Sequence, residues 1–378
     1  MYAGLGGSPF NQRVSVKTCG VVSFLAALAC APSLAAQTDP HASVSVGSAT
    51  AKRGERAYGA LVVPAGSDSG TTIQVAVING AKPGRVVSFI SGAHGTEYTS
   101  IVALTKLIER IDPKKLTGTV IVVPLLNVAS FEQMVPHINP VDQKGMNASY
   151  PGNPSGTQTE RALAMVAEQV VKPADVIVDL HGGDLDEDLR PYSYWMRSGK
   201  SAQDSAGRAL DLAFGLDMVI VSDVDVTNPA RTRSLSGYAL SLGKTTFVAE
   251  AGRSGVVTAE ETAMLVNGSL NALASLKMID RAVPPQPKIT WVGHDQRVRA
   301  ESGGMFYATA ARGSRVAKGA KIGTITDYVG RKVSDVLAPQ AGVVSFIRGV
   351  PSLAKGSTIV TIVEVFDGGP PPWAKPAP

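Results

Sequence analysis

The stretch Val86-Val87-Ser88-Phe89-Ile90-Ser91-Gly92-Ala93-His94-Gly95-Thr96-Glu97 decides the fold. Its first half is an apolar run with Ser88 as the one small polar residue before Ser91, the pattern of a strand covered on both faces. Two glycines then break the run. Beyond them Ile101, Leu104, Leu107 and Ile108 recur at helical spacing, predicting a helix over 99–111. The chain therefore passes from strand to helix at a histidine and a carboxylate three residues apart. Neutral imidazole, carboxylate and one further ligand from elsewhere suit a catalytic zinc. An isolated His-x-x-Glu pair is common by chance, so its meaning depends on the rest of the chain.

Working outward, Thr72–Ile78 alternates and carries β-branched residues, predicting a strand, and 79–84 has turn residues. Residues 37–60 are small and polar and read as an extended entry segment. A strand over 118–127 follows the first helix. A loop rich in Asn, Pro and Gly then runs over 128–156, long enough to suggest a functional role. Further on, helices are predicted at 159–171, 201–214, 235–242 and 259–276, and strands at 175–183, 218–221 and 245–252. Alternating strands and helices predict an α/β fold with a largely parallel sheet flanked by helices. Such sheets bind ligands off the carboxyl ends of their strands. His94, His181 and Glu250 all fall at such ends. Asp179 and His181 point to one side of their strand and Leu180 to the other.

A chain of 378 residues suggests one large and one small domain. With 44% hydrophobic and 18% charged residues it is a globular chain. Residues 1–36 have the form of an export signal: Arg13 and Lys17, an apolar core from Gly20 to Ala31, and a small-x-small site at Ser33-Leu34-Ala35. That form predicts a periplasmic or secreted protein. Removing the signal takes the net charge from +5 to +3 and removes both cysteines, Cys19 and Cys30. Thiolate metal sites are then excluded, leaving His, Asp and Glu. There is no long basic tract for nucleic acid and no spanning segment after processing; homo-oligomerisation is left open. An α/β hydrolase domain over 37–281 is expected. A linker at 282–287 opens a Gly-rich all-β domain to residue 366, followed by a Pro-rich, disordered tail over 367–378.

Taken in order, Gly92-Ala93-His94-Gly95-Thr96-Glu97, Pro124-Leu125-Leu126-Asn127, Asn139-Pro140-Val141-Asp142, Tyr150-Pro151-Gly152, Asp179-Leu180-His181-Gly182-Gly183 and Val248-Ala249-Glu250-Ala251-Gly252 resemble the succinylglutamate desuccinylase/aspartoacylase family of zinc carboxypeptidase-like deacylases. The resemblance covers about residues 70–365 and is specific as a combination. It implies a zinc-carboxypeptidase-like mixed sheet and a C-terminal β domain of barrel-sandwich type. It also implies one Zn2+ held by His94, Glu97 and His181, with Glu250 as the general base and proton donor to the leaving amine. Asp179 would orient a ligand from behind. The implied activity is zinc-dependent hydrolysis of the amide of an N-acyl amino acid or N-acyl amine, a small-molecule substrate.

One part of the family pattern is altered. An arginine that grips the substrate carboxylate normally follows the Asn of the Asn147-Ala148-Ser149-Tyr150 run, and here Ala148 takes its place. A second arginine is usual ahead of Asn139, where His137 stands. Asn147 and His137 are therefore expected to bind substrate, and either Arg190, Arg231, Arg233 or Arg253 replaces the missing charge or the substrate lacks that carboxylate. Tyr192, Tyr194 and Trp195 are candidates for a pocket wall, whereas His294 and His41 are assigned no role in the site. Two other readings stay open: a carboxypeptidase-like hydrolase of peptides or cell-wall fragments, and a non-catalytic zinc- or ligand-binding relative.

Overall fold

A computed structural model describes residues 41–374, so the export signal lies outside the described residues. The strands are β1 Ser43–Val46, β2 Ala49–Lys52, β3 Glu55–Val63, β4 Thr71–Asn79, β5 Lys82–Ser91, β6 Thr117–Val123, β7 Val176–His181, β8 Glu187–Arg197, β9 Met218–Asp223 and β10 Thr245–Arg253. They are followed by β11 Thr290–Arg299, β12 Gly304–Ala308, β13 Arg315–Val316, β14 Lys321–Thr326, β15 Lys332–Leu337, β16 Gly342–Arg348, β17 Ser352–Leu353 and β18 Thr358–Phe366. The helices are α1 Tyr98–Arg110, α2 Val128–Gln133, α3 Gln158–Val166, α4 Ser201–Phe214, α5 Leu235–Ser241 and α6 Ala259–Ser275.

Twelve strands form one sheet in the order β13-β16-β18-β11-β9-β8-β10-β7-β5-β6-β4-β3. The sheet is mixed. Parallel pairing joins β6-β5-β7-β10 and, separately, β8-β9-β11, while β8 meets β10 antiparallel and both flanks are antiparallel. Two layers cover it because its strands are apolar on both sides. Val87 and Phe89 face a core with Leu104 and Leu107 of α1 and Leu265 of α6. Ile90 faces the opposite core, with Leu163 of α3, Ala239 of α5 and Val46 of β1.

Four differences from the expected architecture have physical causes. Residues 43–60, part of the expected extended entry over 37–60, form a hairpin and most of an edge strand that runs on to Val63, because Leu61 and Val63 have an apolar layer to cover. The strand β8 is interrupted by Pro191 and charged residues and has no clear period in the sequence. The C-terminal strands do not stand apart. β11 pairs with β9, and β16 pairs with β8, so they extend the twelve-stranded sheet; β12, β14, β15 and β17 form a second sheet over their own apolar cluster. The predicted tail is ordered at least to Ala374, with Trp373 stacked on His294 at 5.8 Å.

The long loop over 128–156 contains α2 and a short turn at Met146–Ala148. Asn139 and Asp142 brace it: Asn139 donates to Gln158 and Thr159, and Asp142 accepts from the Thr159 backbone and hydroxyl. No described helix is long and apolar enough to cross a membrane.

Candidate active site

The neighbouring strands β5, β7 and β10 bring the sequence-predicted residues to one end of the sheet. Their register places Ile90 beside Asp179, and His181 beside Glu250. β8, on the other side of β10, places Tyr192 opposite Glu250. The loop after β5 turns tightly. Gly92 has φ +68°, and a Cβ at Gly95 would lie 2.3 Å from the backbone nitrogen of Phe131, so both positions require glycine. This turn delivers His94 to the site and leaves Glu97 at the N-cap of α1, where the helix dipole favours negative charge.

Glu97 is the centre of the cluster. Its Oε1 lies 2.5 Å from Nδ1 of His94, and its Oε2 lies 2.9 Å from Nδ1 of His181 and accepts from the Gly182 backbone N–H at 3.0 Å. The three candidate ligand atoms all lie within 4.8 Å of one another. Burial would raise the Glu97 carboxyl, but the two imidazoles outweigh it and hold the group well below the carboxylate range. Burial lowers His94 and His181, and their pairing with Glu97 raises both.

This donor set fits a divalent zinc-like cation: two nitrogens and a carboxylate, with no thiolate. The far side of His181 is also built for ligation. Its Nε2 lies 3.2 Å from Oδ1 of Asp179 and 3.3 Å from the side-chain amide of Asn147. An Nε2–H donated to Asp179 leaves the Nδ1 lone pair for a metal. The Asn147 amide oxygen is buried without a partner. Turning that amide would offer the oxygen to the same ring N–H.

Glu250 faces the cluster across a cavity of about 400 Å³. Burial pushes it up to about 7, against the lowering effect of His181 and of a hydrogen bond from the Tyr192 hydroxyl at 2.9 Å. Such a group can take and return a proton near neutral pH. Asn147, Asp179, Tyr192 and Tyr194 also line the cavity. Trp195 does not; it packs against Trp291.

The predicted substrate residues are placed less uniformly. His137 is outside the cavity wall, with its ring held by Asp184 at 3.0 Å and Asp186 at 3.3 Å. The bond to Asp186 raises it to about 9, so it carries positive charge beside His94. Arg190 is forked onto Asp217, Arg253 lies 3.7 Å from Asp188, and Arg231 is exposed on a short turn. Arg233 donates from Nε to the Ala148 carbonyl at 2.6 Å, and its own carbonyl accepts from the Tyr150 N–H. None of these four arginines lines the cavity.

Sequence reasoning missed Asp184, which accepts from the Thr96 hydroxyl and the His137 backbone N–H. It also missed Glu187, raised to about 7 by burial, and Arg297. Asp184 directly follows Gly182-Gly183 and was findable there; Arg297 carried no local signal.

A strand-end cluster of two imidazoles and a carboxylate, facing a second buried carboxylate across a cavity, is an arrangement suited to hydrolytic chemistry. A family profile described as the succinylglutamate desuccinylase/aspartoacylase catalytic domain matches residues 83–276, and the chain belongs to that family. Among curated proteins it is similar to the N-alpha-acetyl-L-2,4-diaminobutyric acid deacetylase of Halomonas elongata, at 29% identity over 83% of this chain and 89% of that one. Among solved structures it is similar in fold to the product-bound ectoine utilization protein EutE of Ruegeria pomeroyi, with a TM-score of 0.74, 23% identity, and 82% of this chain and 95% of that chain covered. A succinylglutamate desuccinylase from Silicibacter gives a TM-score of 0.73 at 22% identity, with the same coverage of 82% and 95%.

Proposed function

We propose that this protein is a zinc-dependent deacylase that hydrolyses the amide bond of a small N-acyl amino acid or N-acyl amine. The observation that carries this reading is the meeting of His94, Glu97 and His181 with Glu250 across one cavity. His94, His181 and Glu97 would hold the ion, which supplies Lewis acidity to the amide carbonyl and to water. Glu250 accepts the proton of the attacking water and returns it to the leaving nitrogen. Its elevated affinity for a proton, near 7, suits both halves of that task. Tyr192 holds one carboxylate oxygen and so aims the other. Asp179 fixes the His181 ring. A merely metal-binding relative has no use for a poised acid at the position of Glu250, which favours a turning-over enzyme.

The test is hydrolysis by zinc-loaded protein of a panel of N-acyl amino acids, N-acyl amines and short peptides. Release of free amine from the acylated small molecules, abolished by chelation and restored by zinc, is the expected outcome. Cleavage confined to peptides would replace this reading with the carboxypeptidase-like one. Protein that binds no stoichiometric zinc by elemental analysis would remove the site.

A further inference from the structure

Ala148 leaves the family's carboxylate-gripping position without a charge, and the four arginines expected to replace it lie outside the cavity wall. One other arginine lies in that wall. Arg297, on β11, shares it with Glu250, Tyr194 and Thr361. Its cross-strand partner on β18 is Thr361. The wall exists because β11 pairs with β9 and carries the C-terminal strands onto the catalytic sheet.

The guanidinium is held from one side only. Asp295, two residues back and therefore on the same strand face, accepts from Nε at 2.9 Å. Neither Nη1 nor Nη2 has a hydrogen-bond partner among the described residues. A smaller cavity of about 250 Å³ also borders Arg297 and shares Tyr192 and Tyr194 with the first, so the guanidinium lies at the junction of two open spaces. An arginine fixed at Nε with its two outer nitrogens free presents the fork that a carboxylate takes in bidentate fashion.

We infer that Arg297 receives the carboxylate of an N-acyl amino acid whose amide lies between the His94–Glu97–His181 cluster and Glu250. This rests on the deacylase reading above and narrows its substrate class to acylated amino acids with a free carboxylate. Recognition thus moves from the loop at Ala148 to a strand of the C-terminal region. Arg233, tied to the Ala148 backbone and exposed, is the rival for the same task.

The experiment compares N-acetyl amino acids with their uncharged carboxamides, using the zinc-loaded full chain and the variants Arg297→Ala, Arg297→Lys and Arg233→Ala. Calorimetric binding of the free product amino acid to zinc-free protein gives a readout independent of turnover. Arg297 is 60% exposed, so its truncation is compatible with folding, and circular dichroism checks this. In the wild type kcat/KM should favour the acid. In Arg297→Ala that preference should fall about 10- to 100-fold, through KM, with product binding weakened in parallel. Arg297→Lys should recover part of it, because a point charge replaces a fork. Unchanged preference in Arg297→Ala, or its loss in Arg233→Ala instead, overturns the assignment while leaving the deacylase intact. A wild type that hydrolyses none of these compounds overturns both.

Discussion

Two buried acids on opposite sides of this molecule's chemistry differ only in their company. Glu97, at the carboxyl end of the sheet, is 3% exposed, and Asp211, on α4, is 1% exposed. Burial disfavours the charge of both equally. Glu97 meets two imidazoles and a backbone N–H and is held far below the usual carboxylate range. Neither oxygen of Asp211 has a hydrogen-bond partner; burial raises it to about 7, and the nearby Ser193 hydroxyl lowers it only in part. Partners, not depth, decide whether a buried carboxylate stays charged. The strand ends supply partners because loops and backbone N–H groups converge there, while the side of α4 offers Asp211 only the nearby Ser193 hydroxyl, outside hydrogen-bond geometry.

The first way to break the comparison is to take the partners from Glu97. His94→Ala should abolish stoichiometric zinc, read by elemental analysis, and reduce hydrolysis to background. A variant that keeps both would show that the cluster is an ion-pair network and not a metal centre. Next in size is Glu250→Gln, which keeps the shape of the side chain and removes its proton chemistry. Zinc should be retained while kcat falls about 10²- to 10⁴-fold, the usual worth of a general base. Full activity in this variant would assign the base elsewhere.

The half of the site that was legible in the sequence is the half built by short-range rules. Apolar runs ending in glycine placed His94, His181 and Glu250 at strand ends, and α/β alternation placed the strand ends together. What stayed hidden depended on long-range pairing. Arg297 reaches the cavity only because β11 adds to β9, and Tyr192 meets Glu250 only because β8 runs antiparallel beside β10. The arginines near other candidate site loops looked suitable, but Asp217 and Asp188 already engage Arg190 and Arg253. The separation of a C-terminal domain, expected from a change in texture at the Pro-rich linker, is bridged by hydrogen bonds from β16 to β8, which composition does not record.

Asp211 makes its own prediction, on stability. Its folded-state pKa near 7 lies above the ordinary value of 3.8, so the folded protein binds more protons between those limits. The native state therefore loses stability as pH rises through that window, by up to ~4 kcal/mol once Asp211 must ionise in place. Asp211→Asn removes this term. Urea midpoints for variant and wild type should agree near pH 4 and separate by pH 8, with the variant the more stable. A difference that does not change with pH would mean that Asp211 finds partners or water that this packing does not show.

The smallest effect sharpens the comparison most, because Glu250 stands between its two extremes with a single tyrosine as hydrogen-bond donor. Tyr192 favours the charged form of Glu250, so Tyr192→Phe should raise its pKa further. In the proposed mechanism Glu250 acts as a base when ionised, so activity should be lost as pH falls through that pKa. The acid limb of the kcat/KM profile should accordingly move upward by about one unit, the worth of one hydrogen bond to a charged group. Near pH 7 this is roughly a fivefold loss in rate, approaching tenfold at lower pH, and above the limb variant and wild type should converge. A loss that is uniform across pH would instead make Tyr192 a substrate contact. Movement of the limb would place Glu250 on the scale that Glu97 and Asp211 define, where each added partner lowers a buried acid by a measurable step.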